Sequence, residues 1–483
     1  MTYHKIDTLF AYIILIISAL LLVSVAMGAE VHYEGSESLN HYYIAEGVPQ
    51  NPLLLLDHWG KPLFTLLAWP FSYLGDKGVM ILNCIIMLLS AYVSFRLLRK
   101  LEVKFAFPVI VLILFAPVYY KFSQSSLTEP LFGLVAISSA FYFLQKRYLL
   151  ATILISFIIF SRSEGMLFIP IYAVALIIKK QYKILPFLLT GILTYSLIGF
   201  FLGKSILWYY YEYPYNAIVS FYGKGPFLHW FINQEYITGT PFSILIVISF
   251  VLLVFQSIIH FRKTFEHKNL ILIYLITVPA FIYIAGHSFL WYKGWSASVG
   301  LYRIVGGVIP LLAVVSVMGV DKILSVLNSL YYQKVIKLLI LIGFSYWAVS
   351  FTFYEKESYI LDHPNEITNL VNESIDWIEE SELEYNNLYV YKTEYQHHFG
   401  INPYTSGESF LKSNITKREA PQLELKPGDV VIWDGQVTPN EGGIPIEVLD
   451  TNSYFVPIKT FRPKHEFTVL GGGKYYIKIF KRI

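Results

Sequence analysis

The feature that most constrains this chain is a series of long apolar runs divided by short polar connections. A helix needs roughly twenty apolar residues to cross a bilayer, and only helices or closed barrels satisfy their backbone polar groups there. With 55% hydrophobic and 15% charged residues, the chain could not bury its apolar surface as one soluble domain. We therefore predict an all-α polytopic membrane protein with about 11 transmembrane helices, near 8–27, 78–97, 105–120, 129–145, 148–161, 165–178, 184–203, 242–260, 269–287, 303–320 and 336–353.

Basic residues cluster in alternate connections between these spans. The clusters are Arg96, Arg99, Lys100 and Lys104; Lys146 and Arg147; Lys179, Lys180 and Lys183; Arg262, Lys263 and Lys268; and Lys322, Lys334 and Lys337. By the positive-inside rule these connections and the amino terminus with Lys5 are cytoplasmic. The prediction is a multi-pass protein of the cytoplasmic (inner) membrane, with everything after residue 354 extracytoplasmic.

This topology divides the chain into two predicted domains. Residues 1–354 form the transmembrane domain, with long external loops at 28–77, 204–241 and 288–302. Long loops on one face are a common place for function. Residues 355–483 form a small soluble α/β domain, because the composition changes sharply after Tyr354.

The pattern of the second domain predicts one helix and several strands. An amphipathic helix is expected at 365–383, with Ile367, Leu370, Val371, Ile375 and Ile378 on one face. Strands are expected at 387–391 and 429–433, and a terminal hairpin from 467–470 and 475–480.

The first external loop carries the strongest chemical signal. Ser36 is expected to cap a short helix on which Glu37 and His41 share a face. Glu37 would lie in the first turn, where the helix dipole favours an ionised carboxylate. Glu30, Glu34 and Glu46 are interpreted as solvated loop charges.

Further along this loop, Asp57, His58 and Lys61 precede a stretch expected to lie in the membrane interface as an amphipathic helix, 63–74. Lys61 adds an ammonium to the carboxylates and imidazoles of the loop.

The spans 148–161 and 165–178 are too short to cross comfortably. They form either a tight pair or a re-entrant segment, with Arg162 and Glu164 at the tip. Charge near the apolar slab usually serves a function, but a structural Arg162–Glu164 pair that caps the hairpin is an equal alternative.

Other functional classes receive less support. The net charge of +3 gives no reason to expect a nucleic-acid partner, and the single cysteine, Cys84, excludes a disulfide framework or a cysteine-based zinc site. No cofactor is expected. A divalent metal is a minority interpretation, since the first loop contains suitable ligand types at His32, Glu34, Glu37, His41, Asp57 and His58.

These motifs resemble landmarks of the GT-C glycosyltransferases, which take a sugar from a polyprenyl-phosphate carrier. The resemblance lies in Glu37 after the first span and in the stretches 59–63, 127–131 and 162–165, and it covers about the first 320 residues. The related groups include protein O-mannosyltransferases and lipid A aminoarabinose transferases. The usual adjacent pair of acids is missing, because Glu34 and Glu37 are three residues apart.

The resemblance implies a hexosyltransferase that moves a sugar, such as a mannose-like one, to a glycan, lipid or protein acceptor with inversion. Glu37 would be the catalytic base. Arg303, Arg162 and Lys61 would bind the donor phosphate, supported by His41, His58, Asp57, Glu129 and Glu164. The physical argument agrees, since a carrier held in membrane lipid releases a phosphate at the interface, where arginine binds it bidentately.

Two other classes use the same lipid-linked saccharides. A transporter or flippase usually shows repeated halves, and the sequence has no such repeat. A saccharide polymerase shares the substrate class and stays open as an alternative.

Overall fold

The computed structural model describes residues 3–30, 32–214, 220, 222–259, 261–296, 298–325, 333–354, 364–405, 409–412 and 414–483. The predicted domain boundary at 354/355 adjoins residues 355–363, which lie outside the described residues. The described chain is mostly helical up to residue 354 and mixed α/β after it.

Helices of very unequal length make up the membrane part. They are α1 (Tyr3–Met27), α2 (Gly35–Gly47), α3 (Pro62–Ser72), α4 (Gly75–Lys100), α5 (Pro108–Leu114), α6 (Pro117–Lys121), α7 (Glu129–Leu144), α8 (Tyr148–Ser156), α9 (Phe168–Ile178), α10 (Thr190–Phe201), α11 (Trp208–Tyr211), α12 (His229–Ile232), α13 (Gln234–Thr238), α14 (Thr240–Ile259), α15 (His267–Leu270), α16 (Val278–Lys293), α17 (Ile309–Ser325) and α18 (Gln333–Tyr354). Among the 3-10 segments, Tyr182–Leu189 leads into α10 and Tyr302–Val308 leads into α17, and a π-helical segment, Ile271–Thr277, leads into α16.

Six helical segments in the described part of the chain are long and apolar enough to cross a membrane, or seven if one bent pair counts as a span. The predicted count of about 11 is not confirmed. Large apolar side chains on these segments face outward, with Ile16 62%, Phe201 81% and Ile258 72% exposed. Such surface is stable only against lipid or another apolar partner.

Proline breaks one of the predicted spans. The run 105–120 is divided between α5 and α6, because Ala116 is extended and Pro117 has no N–H to continue the helix. The segment Pro117–Gln124 then bends by 117° against α7.

The two short runs also fall below full length. The apolar segments Tyr148–Phe160 and Ser163–Ile178 would reach only about 20 and 24 Å at 1.5 Å per residue. Both include 3-10 turns, at Ile158–Phe160 and Ser163–Leu167, and Arg162 lies between them in an extended conformation. This turn gives Arg162 its position at the tip.

Three of the basic connections, near 96–104, 179–183 and 262–268, meet at one end of the bundle, which we call the basic end. Lys268 pairs with Glu102 at 2.9 Å, and Lys179 donates to the carbonyl of Phe265. Arg99 pairs with Asp7 near the start of α1. These contacts agree with one shared side for the basic clusters, and the cytoplasmic assignment stays a prediction.

The opposite end, which we call the domain end, carries α2, α3 and the C-terminal domain. That domain has a five-stranded sheet of β1 (Leu388–Tyr389), β2 (Leu411–Lys412), β3 (Val430–Asp434), β4 (Phe455–Phe461) and β5 (Ile477–Arg482). The strand order is β2-β1-β3-β5-β4, parallel among β1, β2 and β3 and antiparallel among β3, β5 and β4. Its helices are Pro364–Glu380, Thr393–His398, Val437–Asn440 and Ile446–Asp450.

The sheet has an apolar core on each face. Val430 and Ile432 face one core, and Val431 and Trp433 face the other, as the two-residue period of a strand requires. The predicted amphipathic helix is confirmed as Pro364–Glu380, with Leu370, Val371, Ile375 and Ile378 in the first core.

The predicted terminal hairpin is confirmed only at its turn, where Thr468 and Lys474 form an antiparallel bridge. The N–H of Val469 donates to the carbonyl of Gly473 and the N–H of Tyr475 to that of Phe467. Beyond this turn β5 pairs with β4, over the register Phe455↔Arg482 to Phe461↔Ile477, and not with 467–470. β4 was missed because its apolar and polar residues alternate irregularly and Pro457 interrupts it. Proline is tolerated there because β4 lies at the edge of the sheet.

Candidate functional site

Helix α2 places Glu37 at the domain end, but its start differs from the prediction. Glu34 is the residue before the helix, in the left-handed conformation at φ 65°, and no side chain caps the helix. Ser36 lies inside the first turn, where its hydroxyl donates to Glu394 and accepts from the backbone N–H of Thr393. The predicted cap is therefore wrong, and Ser36 links α2 to the C-terminal domain instead.

Arg303 is the centre of the site. Its guanidinium donates to Glu37 and, at 2.7 Å, to Glu129, and its Nε lies 3.7 Å from Glu34. The side chain is only 4% exposed, at the start of the 3-10 segment before α17. Arginine buried this deeply requires paired carboxylates, and three surround it.

Glu129 joins Arg303 to a second arginine. Its Oε1 accepts from Arg303 and Arg162, each at 2.7 Å, while Oε2 has no hydrogen-bond partner among the described residues. The carboxylate is fully buried in the first turn of α7, where the helix dipole stabilises negative charge. Proline follows at position 130, as is common at a helix start.

Arg162 continues the network to Glu164. The two side chains pair at 2.9 Å, so the predicted hairpin pair exists, but Arg162 also binds Glu129. His287 of α16 lies 3.6 Å from Glu164 and was missed by the sequence analysis. An ionisable residue at the end of an apolar span was the signal that could have found it.

Lys61 occupies a strained turn at the start of α3. Its φ is 60°, and its Nζ donates to the carbonyl of His58 at 2.9 Å. Burial lowers the pKa of this amine to about 8, and the charge of Glu164 opposes that shift. Positive φ in a non-glycine residue concentrates at functional sites.

The predicted supporting residues of the first loop shape this turn. Asp57 accepts from the backbone N–H of Gly60 at 2.7 Å, which folds the chain before Lys61. The ring of His58 packs among Trp208, Tyr209 and Tyr213, and burial lowers its pKa to about 4.

His41, Glu34 and Glu46 have different surroundings in the structure. His41 packs against Phe64, and burial lowers its pKa to about 3, so its imidazole is neutral. Glu34 and Glu46 are not solvated loop charges. Glu34 faces Arg303, and Glu46 accepts hydrogen bonds from Tyr42 and Asn402. Burial raises the pKa of Glu34, although Arg303 opposes the shift.

The C-terminal domain borders the site. Tyr222 of the second external loop donates to Glu441. Burial raises the pKa of Glu441, and the charge of Glu37 contributes in the same direction. The domain thus adds the acidic group of Glu441 near Glu37, and the second external loop adds the hydroxyl of Tyr222; no sequence motif predicts either contribution.

The six side chains of the minority metal interpretation are dispersed. Among the described residues, the one group of three or more possible ligand side chains within 4.8 Å of one another is His32, Asp76 and His397. Only His32 belongs to the predicted set, so the first loop alone does not assemble a metal site in the described chain.

Comparisons with known proteins agree on the fold. A scan of protein-family models finds no match, and a search of curated proteins finds none either. Among solved structures, ArnT from Cupriavidus metallidurans, bound to undecaprenyl phosphate, superposes with a TM-score of 0.57 at 10% identity, over 97% of both chains.

Two structures from Archaeoglobus fulgidus give similar results. The oligosaccharyltransferase tethered to an acceptor peptide has a TM-score of 0.52 at 12% identity. The oligosaccharyltransferase AglB with an inhibitory peptide and a dolichol-phosphate has 0.52 at 13% identity. Each match covers 96% of this chain and 74% of the other. The predicted resemblance is therefore confirmed at the level of fold: this chain has the architecture of the GT-C glycosyltransferases.

Proposed function

We propose that this protein is a membrane glycosyltransferase that moves a sugar from a polyprenyl-phosphate donor to an extracytoplasmic glycan, lipid or protein acceptor, with inversion. The observation that carries the proposal is the pair of buried arginines, Arg303 and Arg162, that share one oxygen of Glu129 beside Glu37. This arrangement lies where the membrane helices meet the C-terminal domain.

The arginines supply a site for the donor phosphate. Each guanidinium has five N–H donors, and the buried Nε of both Arg303 and Arg162 lacks a hydrogen-bond partner among the described residues. Donor capacity is therefore left for an anion that can accept two parallel bonds, as a phosphate does. Lys61 adds a third cation whose charge is present below a pH of about 8.

Glu37 is the proposed base. It is the most exposed carboxylate on Arg303, at 29%, whereas Glu129 is fully buried. A donor phosphate that binds Arg303 competes with Glu37 for the same N–H groups. Binding the donor would thus release the Glu37 carboxylate towards the acceptor.

The proposed reaction is a single displacement at the anomeric carbon. Glu37 takes the proton of the acceptor hydroxyl or amine as that atom bonds to the carbon. The bond from the carbon to the phosphate oxygen breaks, and polyprenyl phosphate leaves with the electron pair. Arg303, Arg162 and Lys61 stabilise the charge on the departing phosphate, and no metal takes part at the reacting carbon.

The compared structures support the chemical class of the substrates. ArnT was determined with undecaprenyl phosphate, and AglB with a dolichol-phosphate. The shared fold, together with paired arginines at the bundle end, makes a polyprenyl-phosphate donor the best match for this chain.

The test is to incubate the purified full chain, reconstituted in vesicles, with a panel of polyprenyl-phosphate hexoses and to measure polyprenyl phosphate release. We expect release that depends on an added acceptor and on Glu37. Glu102→Gln is the matched control, since Glu102 is exposed and lies at the basic end. Movement of intact donor across the vesicle without release would instead show a flippase.

A further inference from the structure

Three side chains from distant parts of the sequence converge beside α2. One ligand atom from each of His32, Asp76 and His397 lies within 4.8 Å of the others. His32 Nε2 is 2.9 Å from an oxygen of Asp76, and the two imidazole rings lie edge to face with centroids 5.4 Å apart.

Each ligand comes from a different structural unit. His32 lies in the connection between α1 and α2, and Asp76 is in the first turn of α4. His397 belongs to the C-terminal domain, in the last turn of the helix Thr393–His398. A group bound by all three would join the membrane part to the C-terminal domain.

The surroundings leave ring nitrogens for a ligand. The hydroxyl of Tyr43 lies 3.1 Å from Nδ1 of His397, which orients the ring and leaves its Nε2. Metal-bound histidines usually have such a partner on their second nitrogen. His32 is only 8% exposed, and its Nε2 is the nitrogen turned towards Asp76, so an ion shared with Asp76 would replace the proton between them.

A simple hydrogen-bonded cluster accounts for only part of this arrangement. The contact between His32 and Asp76 explains those two residues, but it gives no reason for a second, partly buried imidazole beside them. Neutral imidazole is the form that coordinates a metal.

We propose that His32, Asp76 and His397 bind one divalent transition-metal ion, for which Zn²⁺ is the best match, and that this ion clasps the C-terminal domain to the membrane part. Two imidazoles and one carboxylate are a common zinc ligand set, with a fourth position for water. Bonds of about 2.0–2.2 Å to a tetrahedral ion place ligand atoms roughly 3.3–3.5 Å apart. Small side-chain rotations convert the present spacing into that geometry.

The first experiment measures metal binding by the full chain. The purified protein is stripped with chelator, titrated with Zn²⁺ by calorimetry and assayed for bound metal by mass spectrometry. We expect one equivalent of Zn²⁺, with affinity at least about 100-fold lower in His32→Ala and His397→Ala, since even loss of an outer partner weakens metal binding by 10–100-fold.

A matched control lies next in the sequence. His398 is exposed and pairs with Glu379 at 2.9 Å, so His398→Ala removes an imidazole outside the cluster and should bind Zn²⁺ as the wild type does. The proposed site would be overturned if the wild type showed no saturable Zn²⁺ binding, or if His397→Ala bound Zn²⁺ as tightly as the wild type does. Gel filtration and the melting temperature without zinc show whether each variant is folded, and Asp76→Asn gives an independent variant of the same set.

The clasp is tested separately by hydrogen exchange. Zn²⁺ should slow exchange at amides of residues 393–405 in the wild type and not in His397→Ala. Stoichiometric binding without this protection would overturn the clasp. None of these measurements depends on sugar transfer, so failure of the proposed function leaves their outcome unaffected.

Discussion

At each end of the bundle a buried carboxylate pairs with arginine, yet the two carboxylates differ in how many of their oxygens accept hydrogen bonds. At the basic end, Asp7 is fully buried and pairs with Arg99 at 2.9 Å. At the domain end, Glu129 is also fully buried and pairs with Arg303 and Arg162. Chemically similar pairs therefore lie at both ends of the bundle, on different helices.

The two carboxylates differ in their hydrogen bonds. Oδ1 of Asp7 accepts from the backbone N–H groups of Ala106 and Phe107, both at 2.9 Å, and Oδ2 accepts from Arg99. Glu129 instead concentrates two arginines on one oxygen and leaves the other without a partner. Since buried polar groups are almost always bonded, the incomplete bonding at the domain end supports the proposed ligand site, whereas the complete bonding of Asp7 at the basic end fits a structural role.

The largest expected effect tests the domain end directly. Glu37→Gln preserves size and hydrogen bonding but removes the proton acceptor. General-base assistance is typically worth 10²–10⁴-fold, so single-turnover release of polyprenyl phosphate should slow by that order. Added Mn²⁺ should not restore the rate, because the proposed mechanism has no metal at the reacting carbon.

Glu34→Gln is the sharpest companion to that variant. Because Glu34 lies 3.7 Å from Arg303 and its side chain is only 19% exposed, we expect a measurable loss, smaller than that of Glu37→Gln. A larger loss at Glu34 would move the base there. Equal, mild losses at both residues would count against a base on α2.

The sequence predicted the components of the domain end better than their connections. Glu37, Arg162, Glu164 and Arg303 were recognisable because charged residues beside apolar spans are rare. Glu129 connects these residues only because α7, α17 and the 162–164 turn pack against one another. Hydrophobic periodicity carries no information about that packing. The role of Glu34 was missed for the same reason.

In the C-terminal domain, too, the sequence predicted individual elements better than their contacts. Its amphipathic helix and the strand β3 followed from apolar periodicity, while the pairing of β4 with β5 did not, since edge strands carry weak patterns. The contacts of Ser36 with Glu394 and of Tyr222 with Glu441 span hundreds of residues. A single sequence contains no local signal for such pairs.

The next prediction concerns Arg303, whose guanidinium joins the carboxylates of Glu37 and Glu129. Arg303→Lys retains a charge but loses the planar fork, and Arg303→Ala loses both. We expect the alanine variant to lose about 1.5–3 kcal/mol in donor use and the lysine variant to recover part of it. Since alanine also leaves Glu129 and Glu37 less compensated, the melting temperature is measured in parallel, and Arg96→Ala at the basic end is the control. Unchanged donor kinetics in a folded alanine variant would remove Arg303 from the site.

A smaller effect should follow from pH. The pKa of Lys61 is lowered to about 8, so its ammonium is present below that pH and is lost as pH rises through it. If Lys61 helps to bind the donor phosphate, KM for the donor should rise about tenfold between pH 7 and 9, because about a tenth of the amine stays charged one unit above its pKa. Lys61→Arg keeps its charge throughout and should abolish the rise. An identical pH profile in the arginine variant would assign the titration to another group.

The smallest expected effect on transfer belongs to the basic end. Asp7→Asn keeps an acceptor for the N–H groups of Ala106 and Phe107 but loses the charge opposite Arg99. Because hydrogen bonds to charged groups contribute about 1.5–3 kcal/mol, the melting temperature should fall while kcat and the donor KM below it stay unchanged. Glu129→Gln is the matched change at the other end, and it should reduce transfer more than its loss of stability explains. If Asp7→Asn reduced transfer as much as Glu129→Gln does, the unused hydrogen-bonding capacity of Glu129 would no longer distinguish the two ends.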